Sequence, residues 1–353
     1  MHRRYSAAEL TRFRPGWNAR LLAGHAPGLE PVAEKYKARL LADIEAGRLV
    51  VEESGACLCG GGDFLPLAAT DRFGLPFGSL LCTRCGLVLT SPRLAEASLP
   101  RYYNEIYHPL VFGTERIAEY VNFTGYGQGR LVWERLSPHL GRREALRVLE
   151  IGAGTGSVLH EMREAALADG CRLEPWGFEY SRDCLDIAAS RFGITLLEGG
   201  CAEALALGRS FDCVVLSHVL EHVSDLPAFL ADVRALMRDG TLLYVEVPGL
   251  MVLHKSPWYE YDFLKYAIHA HTFAFTRQTL VGVLRRFGLA DIASDELAYG
   301  IFAKGERTPD EDFAAVDLVA YLAFVERELG YLQGKETLAV KTRADDEPTD
   351  GGA

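Results

Sequence analysis

Short apolar runs alternate with amphipathic segments through the middle of the chain, and this alternation predicts the main domain. Val148–Ile151 is a short, mostly apolar run of the kind that forms a buried parallel strand. Similar runs recur as far as residue 303, with helical patterns between them. This alternation predicts a doubly wound, mostly parallel α/β sheet. The predicted strands lie near residues 147–151, 173–178, 194–197, 211–216, 241–247, 289–295 and 299–303.

Changes in the pattern divide the rest of the chain into regions of different character. Pro31–Arg48 carries apolar residues at helical spacing and is predicted to be an amphipathic helix that docks on a neighbour. The polar end of the chain, which finishes in Gly351-Gly352-Ala353, is predicted to be disordered. The regions are an N-terminal helical segment (1–50), a cysteine-bearing module (51–107), a helical connector (108–145), the sheet domain (146–305), a C-terminal helix (306–339) and the tail (340–353).

Three glycines at alternate positions follow the first predicted strand of the sheet domain, and a helical pattern begins after them. The strand ends in Glu150, and the glycines are Gly152, Gly154 and Gly156. Because glycine has no Cβ atom, such a turn lets the backbone approach a nucleotide cofactor closely. A dinucleotide-binding G-x-G-x-x-G motif would need its third glycine at Ser157, so the spacing differs from that fingerprint. An ordinary tight turn between strand and helix is the alternative.

Two further strand patterns carry polar residues where the strands end. Glu179 follows roughly 20 residues after the last glycine, where an acid accepts hydrogen bonds from ribose hydroxyls. Phe211–Ser217 is another strand pattern, and it continues directly into His218–Val223. Open α/β sheets bind ligands at the carboxyl ends of their strands. These polar residues are therefore candidate ligand contacts.

The three motifs, in this order, resemble those of class I S-adenosylmethionine-dependent methyltransferases. The glycine motif has the form E-x-G-x-G-x-G, and the stretch from Phe211 to Val223 is similar to the fourth strand and following helix start of small-molecule methyltransferases. The resemblance implies S-adenosylmethionine as cofactor, S-adenosylhomocysteine as product and a sheet whose seventh strand is antiparallel. It places Glu150 near the methionine ammonium and Glu179 at the ribose. The implied cofactor contacts are Glu150, Gly152, Gly154, Gly156, Glu179, Tyr180, Cys201, Ala202, Ser217 and His218.

One cofactor position departs from the family pattern. The usual Asp near adenine is missing after the third strand, and Cys201 and Ala202 stand in its place. Backbone amides in this region are therefore expected to contact the adenine edge. In the connector, Tyr126 is a candidate contact for a helix that closes over the cofactor.

Four of the eight cysteines form two pairs, each followed by a glycine, and this pattern predicts the knuckles of a zinc ribbon. Four thiolates would make a closed, structural zinc site. The first pair is separated by Leu58 alone, whereas the usual knuckle has two intervening residues, so it is either a distorted knuckle or one that has lost affinity for the metal. The predicted ligands are Cys57, Cys59, Cys82 and Cys85, and the scattered Cys171, Cys184, Cys201 and Cys213 are interpreted as small apolar residues.

The stretch from Cys57 to Tyr107 resembles the N-terminal zinc-binding module fused to methyltransferases of deoxysugar and surface-polysaccharide pathways. In that family the module covers the active site and contributes to the substrate pocket. The resemblance implies that Tyr102, Tyr103 and Tyr107 line a sugar site, and aromatic packing between domains is the alternative.

Methyl transfer requires an aligned acceptor and a group that takes its proton, and histidines after the strands are the candidates. His222 lies beside Glu221, which would orient its imidazole. In sugar C-methyltransferases the second His of a Tyr-His-Glu-His stretch is the proposed base, and this role maps onto His271. The Tyr and Glu of that stretch are replaced here by Ile268 and Ala270, and the chain ends before the further C-terminal domain of those enzymes. Both departures favour O- or N-methylation over C-methylation.

Charge and composition narrow the acceptor to a small molecule. The net charge of −11 disfavours a nucleic-acid substrate, and no apolar run is long enough to span a bilayer. The N-terminus lacks the apolar segment of a signal peptide, so a cytoplasmic location is expected. The resemblance to methyltransferases of deoxysugar and polysaccharide pathways implies that the acceptor is a sugar, nucleotide-linked or part of a glycan. The alternatives are a lipid, quinone or other secondary metabolite, favoured by aromatic residues near 258–263, and a non-catalytic module that retains the fold.

Overall fold

The computed structural model of the protein describes residues 6–13, 15–116, 127–308 and 315–345. Its N-terminal part combines short helices with small antiparallel sheets. The helices are α1 (Ala7–Phe13), α2 (Ala19–Ala23), α3 (Pro31–Glu45), α4 (Leu99–Tyr102) and α5 (His108–Phe112). The strands are β1 (Val51–Glu52), β2 (Phe64–Ala68), β3 (Gly78–Cys82), β4 (Val88–Ser91) and β5 (Arg93–Leu94), with a 3-10 turn at Glu96–Ser98 and a π-helical turn at Tyr103–Tyr107.

Strands and helices alternate through the sheet domain. The helices are α6 (Gln128–Leu140), α7 (Ser157–Ala168), α8 (Arg182–Ile187), α9 (Cys201–Ala206), α10 (Leu226–Leu236), α11 (Phe263–Tyr266), α12 (Arg277–Arg286) and α13 (Ala315–Asp345). The strands are β6 (Ala145–Ile151), β7 (Arg172–Glu179), β8 (Leu197–Glu198), β9 (Cys213–Ser217), β10 (Leu242–Glu246), β11 (Phe273–Ala274), β12 (Leu289–Ser294) and β13 (Tyr299–Lys304). Ala188–Phe192 is π-helical, and 3-10 turns lie at Leu220–His222 and Leu250–Val252.

The predicted doubly wound sheet is confirmed. Its seven strands lie in the order β12-β13-β10-β9-β6-β7-β8. Strand β13 is antiparallel to both neighbours, and the other pairs are parallel. The order reverses at β6, between β9 and β7, which is where open α/β sheets bind ligands.

From Val148 to Ile151, strand β6 is buried on both faces, which explains why this part of its sequence is mostly apolar without alternation. Successive side chains point to opposite faces of a strand. Val148 packs in a cluster with Trp133 and Leu159, which lie on helices α6 and α7. Leu149 faces the other way, in a cluster that includes Leu230 of α10. Helices therefore cover both faces of the sheet.

The cysteine-bearing module shares a small sheet with strand β11 of the sheet domain. Strands β2, β3 and β4 form an antiparallel sheet that β11 extends at its β4 edge. Phe273 pairs with Leu89, and Ala274 pairs with Val88. The segment that follows His271 is therefore hydrogen-bonded to the module.

The amphipathic helix predicted from Pro31 and the predicted C-terminal helix are both present, but they end at residues other than those predicted. Helix α3 begins at Pro31, which suits a first helical turn, and Gly47 beyond its end adopts a φ of +68°. Helix α13 extends to Asp345 and so enters the segment predicted to be disordered. Across the described ranges, each helix is too short or too polar to cross a membrane.

Candidate active site

A cleft of about 320 Å³ lies at the carboxyl ends of β6 and β9. The glycine turn after β6 forms one side, and the residues after β9 form another. Predicted cofactor contacts that line it are Glu150, Gly152, Gly154, Ser217 and His218. The structure thus brings together the first and third sequence motifs at the position expected for a ligand.

The glycine turn has a backbone conformation that other residues rarely adopt. Gly152, Gly154 and Gly156 have φ values of +68°, +51° and +74°. A Cβ atom on Gly152 would lie 2.7 Å from a methyl carbon of Val219. A Cβ atom on Gly154, which lines the cleft, would meet no other atom within 4 Å. The turn therefore presents bare backbone to the cleft.

Glu150 is buried at the floor of the cleft, and its Oε2 atom lacks a hydrogen-bond partner among the described residues. Burial, reinforced by the charge of Glu179, raises the pKa of Glu150 well above its ordinary value. An ammonium group placed beside it would compensate the buried carboxylate. This position therefore fits the methionine end of S-adenosylmethionine.

Glu179 lies against the glycine turn. Its carboxylate accepts hydrogen bonds from the backbone N–H groups of Gly154 (2.9 Å), Tyr180 (2.8 Å) and Ser181 (2.9 Å). A carboxylate has about four acceptor sites, so capacity for a hydroxyl donor remains. The position fits the ribose contact expected of it.

The remaining predicted cofactor contacts differ in exposure. The Tyr180 ring is exposed, and a Cβ atom on Gly200 would lie 2.7 Å from its hydroxyl oxygen. Cys201 is buried in the core, where burial raises the pKa of its thiol to about 12. The Ala202 side chain is exposed. Tyr126 lies outside the described residues.

His218 connects the cofactor cleft to a buried carboxylate. Its backbone has an unusual φ of +56°, and its Nδ1 lies 3.4 Å from Oε1 of Glu221. Partial burial disfavours the charged form of His218, whose side chain is 51% exposed, but the Glu221 carboxylate outweighs this and raises the pKa. Glu221 itself is almost fully buried, and neither carboxylate oxygen has a hydrogen-bond partner within the described ranges.

The two candidate bases lie side by side. The rings of His222 and His271 are 4.8 Å apart and nearly perpendicular. Nδ1 of His222 is 3.0 Å from both the Ala270 carbonyl oxygen and the Tyr103 hydroxyl. Its Nε2 is 3.8 Å from Glu221, too far for a hydrogen bond, so Ala270 and Tyr103 orient the ring rather than Glu221.

His271 is held by the cysteine-bearing module. The Thr90 hydroxyl on β4 donates a 2.6 Å hydrogen bond to the His271 carbonyl oxygen. Nδ1 of His271 is buried and has no hydrogen-bond partner in the part of the chain that is described. Burial and the neighbouring His222 hold the pKa of His271 well below its ordinary value. The ring is therefore neutral, and within the described residues no hydrogen-bond donor contacts its Nδ1, which leaves this atom able to carry the lone pair.

The predicted tyrosine cluster divides into a buried and a site-facing part. Tyr102 is fully buried, which favours the packing alternative for this ring. The Tyr103 and Tyr107 rings each lie 6.0 Å from the His222 ring. These two rings form an aromatic wall next to the candidate bases.

Sequence reasoning missed a buried chain of hydrogen bonds behind this wall. Tyr102 Oη lies 2.7 Å from His269 Nε2, and His269 Nδ1 lies 2.6 Å from Asp71 Oδ2. Asp71 comes from the stretch between the two cysteine pairs, which the sequence identified only as a loop. Because the partners lie far apart along the chain, no local spacing connected them.

The four predicted metal ligands converge. The sulfurs of Cys57 and Cys85 are 3.5 Å apart, those of Cys59 and Cys82 are 3.6 Å apart, and all four lie within 4.8 Å of one another. A Cβ atom on Gly61 would lie 3.2 Å from two of the sulfurs, so glycine makes room for them. Four buried sulfurs at these distances suit a tetrahedral zinc ion, with Zn–S bonds of about 2.3 Å.

Comparisons with known proteins agree with this geometry. Residues 125–294 match the model of a family described as a methyltransferase domain. A ubiquinone biosynthesis O-methyltransferase of Parvibaculum lavamentivorans is 32% identical over 122 residues, covering 32% of this chain and 47% of that protein. The highly reducing polyketide synthase NEC1 of Pyricularia oryzae is 25% identical over 151 residues, covering 38% of this chain and 5% of that protein.

Solved structures are similar at lower identity. An S-adenosylmethionine-dependent methyltransferase from Clostridium acetobutylicum is 11% identical, covering 58% of this chain and 98% of its own, with a TM-score of 0.39. CalS10, an amino pentose methyltransferase from Micromonospora echinaspora, is 23% identical, covering 38% of this chain and 57% of its own, with a TM-score of 0.31.

The family match assigns residues 125–294 to an S-adenosylmethionine-dependent methyltransferase domain. The chain spans less than half the length of the two curated relatives described above. The match thus identifies the domain and its cofactor but does not define the acceptor.

Proposed function

We propose that this protein transfers a methyl group from S-adenosylmethionine to a hydroxyl of a small-molecule acceptor, and that the acceptor is a sugar. The observation that carries the proposal is the unpartnered Nδ1 of His271, beside His222 and the aromatic wall. A neutral imidazole with an available lone pair is suited to receive a hydroxyl proton. The net charge of −11 supports a small molecule over a nucleic acid.

Bound S-adenosylmethionine supplies a methyl group on a sulfonium, which already carries the activation that the reaction needs. Glu150 would hold the ammonium, and Glu179 would hold the ribose. His271 would take the proton of the acceptor hydroxyl while His222 is kept in place by Ala270 and Tyr103. The protein's main task is alignment, because in-line displacement depends on the approach of the acceptor oxygen.

The sugar assignment is supported by the wall formed by Tyr103 and Tyr107. Flat aromatic faces pack against the apolar side of a sugar ring, and tyrosine hydroxyls add polar contacts. The resemblance of residues 57–107 to the module of sugar-pathway methyltransferases supports the same assignment. Ala270, which replaces a glutamate of sugar C-methyltransferases, supports O-methylation.

A quinone or another phenol is the second candidate acceptor. Curated relatives that are 30–35% identical over 104–122 residues are ubiquinone biosynthesis O-methyltransferases. An aromatic wall also suits a flat phenolic ring. Both candidates require O-methylation, so they differ in the acceptor alone.

We further propose that Cys57, Cys59, Cys82 and Cys85 hold a structural zinc ion. A closed site of four thiolates leaves no position for a substrate. Because β4 contacts the segment around His271, this zinc would stabilise the acceptor side of the cleft. We place the protein in the cytoplasm, where such thiols remain reduced.

The proposal is tested by incubating the purified chain with methyl-labelled S-adenosylmethionine and either a panel of nucleotide sugars or a panel of quinols and phenols. We expect label on a sugar oxygen, located by fragmentation in a mass spectrometer. Label on a phenolic oxygen alone would replace the sugar with the second candidate. Calorimetry with S-adenosylhomocysteine runs alongside, and absence of binding would overturn the enzymatic proposal itself.

A further inference from the structure

Glu221, His222 and His271 together have the composition of a metal site that is separate from the cysteine cluster. Each offers one ligand atom, and these atoms all lie within 4.8 Å of one another. We propose that this Glu–His–His cluster binds a divalent transition-metal ion of the Zn²⁺ class. The ion's catalytic role rests on the proposed function, whereas its binding does not.

The first support is the buried carboxylate of Glu221. Its side chain is 2% exposed, and both oxygens lack hydrogen-bond partners among the described residues. His218 approaches the carboxylate, with its Nδ1 3.4 Å from Oε1, without forming a hydrogen bond. Burying a carboxylate without direct hydrogen bonds is costly unless a cation compensates it. A metal ion at the cluster would supply that compensation.

The second support is the orientation of His222. Its Nδ1 lies 3.0 Å from the Ala270 carbonyl oxygen, so an N–H at this atom points at an acceptor. The opposite nitrogen, Nε2, then carries the lone pair and lies 3.8 Å from Glu221. Metal-binding histidines characteristically donate their other N–H to a backbone carbonyl or carboxylate in this manner.

The third support is His271, which reaches the cluster from a different segment. Its Nδ1 is buried without a hydrogen-bond partner in the described part of the chain. Its backbone is held by Thr90 through a 2.6 Å hydrogen bond. Metal bonds of about 2.1 Å in a tetrahedral site place ligand atoms about 3.4 Å apart. Small side-chain rotations would bring the three atoms, now within 4.8 Å, to that spacing.

The composition of the cluster distinguishes it from the cysteine site in function. Two histidines and one glutamate leave a coordination position open, as in catalytic zinc sites, whereas four thiolates close a structural one. His218 links the cluster to the cofactor cleft, because it lines that cleft and approaches Glu221. An acceptor hydroxyl bound at the open coordination position would therefore lie next to His218, at the border of the cofactor cleft.

In this arrangement the metal ion, rather than His271 alone, activates the acceptor. Coordination makes a hydroxyl more acidic. Its proton would pass to His218, the titratable neighbour that is not a ligand, and the oxygen would form a bond to the methyl carbon. The carbon–sulfur bond breaks, and its electron pair stays on sulfur. With the ion bound, His271 would act as a ligand, and His218 would replace it in the role of base that the proposed function gives to His271 in a metal-free site.

The test measures metal content in the full chain after dialysis against Zn²⁺ and removal of free metal. We expect about two zinc ions per chain, one for each site. Glu221→Gln and His271→Ala should each contain about one. His139→Ala, which removes an exposed histidine of helix α6, is the matched control and should retain both. Circular dichroism and S-adenosylhomocysteine binding verify that the variants are folded.

Cobalt substitution identifies which site is lost. The cysteine site should give sulfur-to-cobalt charge-transfer absorption that persists in Glu221→Gln, while the weaker bands of the second cobalt should disappear. Equal metal content in the original chain and both variants would overturn the proposal. Full methyl transfer with zinc at the cysteine site alone would also overturn it, while leaving the proposed function intact. Zinc at both sites with cofactor binding but no methylated acceptor would instead refute the proposed function.

Discussion

The cofactor cleft and the proposed acceptor side are built in different ways. The cofactor side comes mainly from one continuous stretch, in which Glu150 lies near the end of strand β6 and the glycine turn follows the strand directly. The acceptor side joins Tyr103, His222 and His271, which come from three separate segments and meet through tertiary packing. Local backbone geometry therefore determines the first side, and long-range contacts determine the second. Substitutions should be able to damage one side while sparing the other.

Loss of the cysteine cluster should have the largest effect and should fall on the acceptor side. Cys82→Ser removes a buried cysteine, proposed as a zinc ligand, at the end of β3, and structural zinc contributes on the order of 10 kcal/mol to the folding of small domains. We expect loss of zinc, a lower unfolding temperature and loss of methyl transfer, with S-adenosylhomocysteine affinity much less affected.

Cys171→Ser is the control for this change, because Cys171 is also buried but lies outside the cluster. Metal analysis, thermal unfolding and calorimetry distinguish the two variants. Unchanged zinc content and stability in Cys82→Ser would show that the four sulfurs do not hold a metal.

His271→Ala should separate chemistry from cofactor binding. Whether His271 receives a proton or holds a metal, its removal should lower kcat by about 10²-fold or more. The affinity for S-adenosylhomocysteine should stay unchanged, because the ring belongs to the acceptor side. Steady-state kinetics and calorimetry measure the two effects, with His139→Ala as control. Full turnover would remove His271 from the mechanism.

Glu179→Ala should damage the cofactor side alone. The change removes the proposed ribose contact and the acceptor of the Gly154 N–H, at a cost of roughly 1–3 kcal/mol in binding free energy. This corresponds to an increase of about 5- to 150-fold in the Kd of S-adenosylhomocysteine. Glu179→Gln retains an acceptor oxygen and should show a smaller loss. Unchanged affinity in the alanine variant would place the ribose elsewhere.

Tyr103→Phe should give the smallest effect, and it tests whether the tyrosine hydroxyl positions His222 on the acceptor side. It deletes the hydroxyl that lies 3.0 Å from His222 while keeping the ring. One lost hydrogen bond of about 0.5–1.5 kcal/mol predicts a fall of about 2- to 10-fold in kcat/KM. Tyr321→Phe removes a similar tyrosine–histidine contact, 2.9 Å from His254, away from the cleft and is the control. Equal activity in both variants would show that Tyr103 does not position His222.

The cysteine pairs show both the strength and the limit of sequence reasoning. The residue types and glycines predicted a four-sulfur site, and the structure brings all four sulfurs together. The short spacing of Cys57 and Cys59 left open whether the first pair could take part. The geometry favours participation of the first pair, because Gly61 leaves room for the sulfurs and the Cys57 N–H donates to the Gly61 carbonyl at 2.9 Å.

The acceptor side shows where prediction from the sequence was incomplete. Both histidines were identified as candidates because they follow strands, but their 4.8 Å approach and the role of Tyr103 were not. The predicted pairing of Glu221 with His222 was only partly right, since the carboxylate lies near the ring without forming a hydrogen bond. Asp71 and His269 had no recognisable signal, because a buried hydrogen bond between distant segments has no periodicity.

The sequence by itself determined the sheet and the glycine turn, and its motifs indicated the cofactor through their resemblance to a known family. The sheet and the turn depend on apolar periodicity and on backbone conformations that glycine alone adopts readily, and both are local properties of the chain. Only the tertiary structure decided how the module's sheet, through β11 and Thr90, positions His271 next to His222 and Glu221. The reason is that side chains from distant segments approach one another only after the core has packed, and their distances depend on the whole fold.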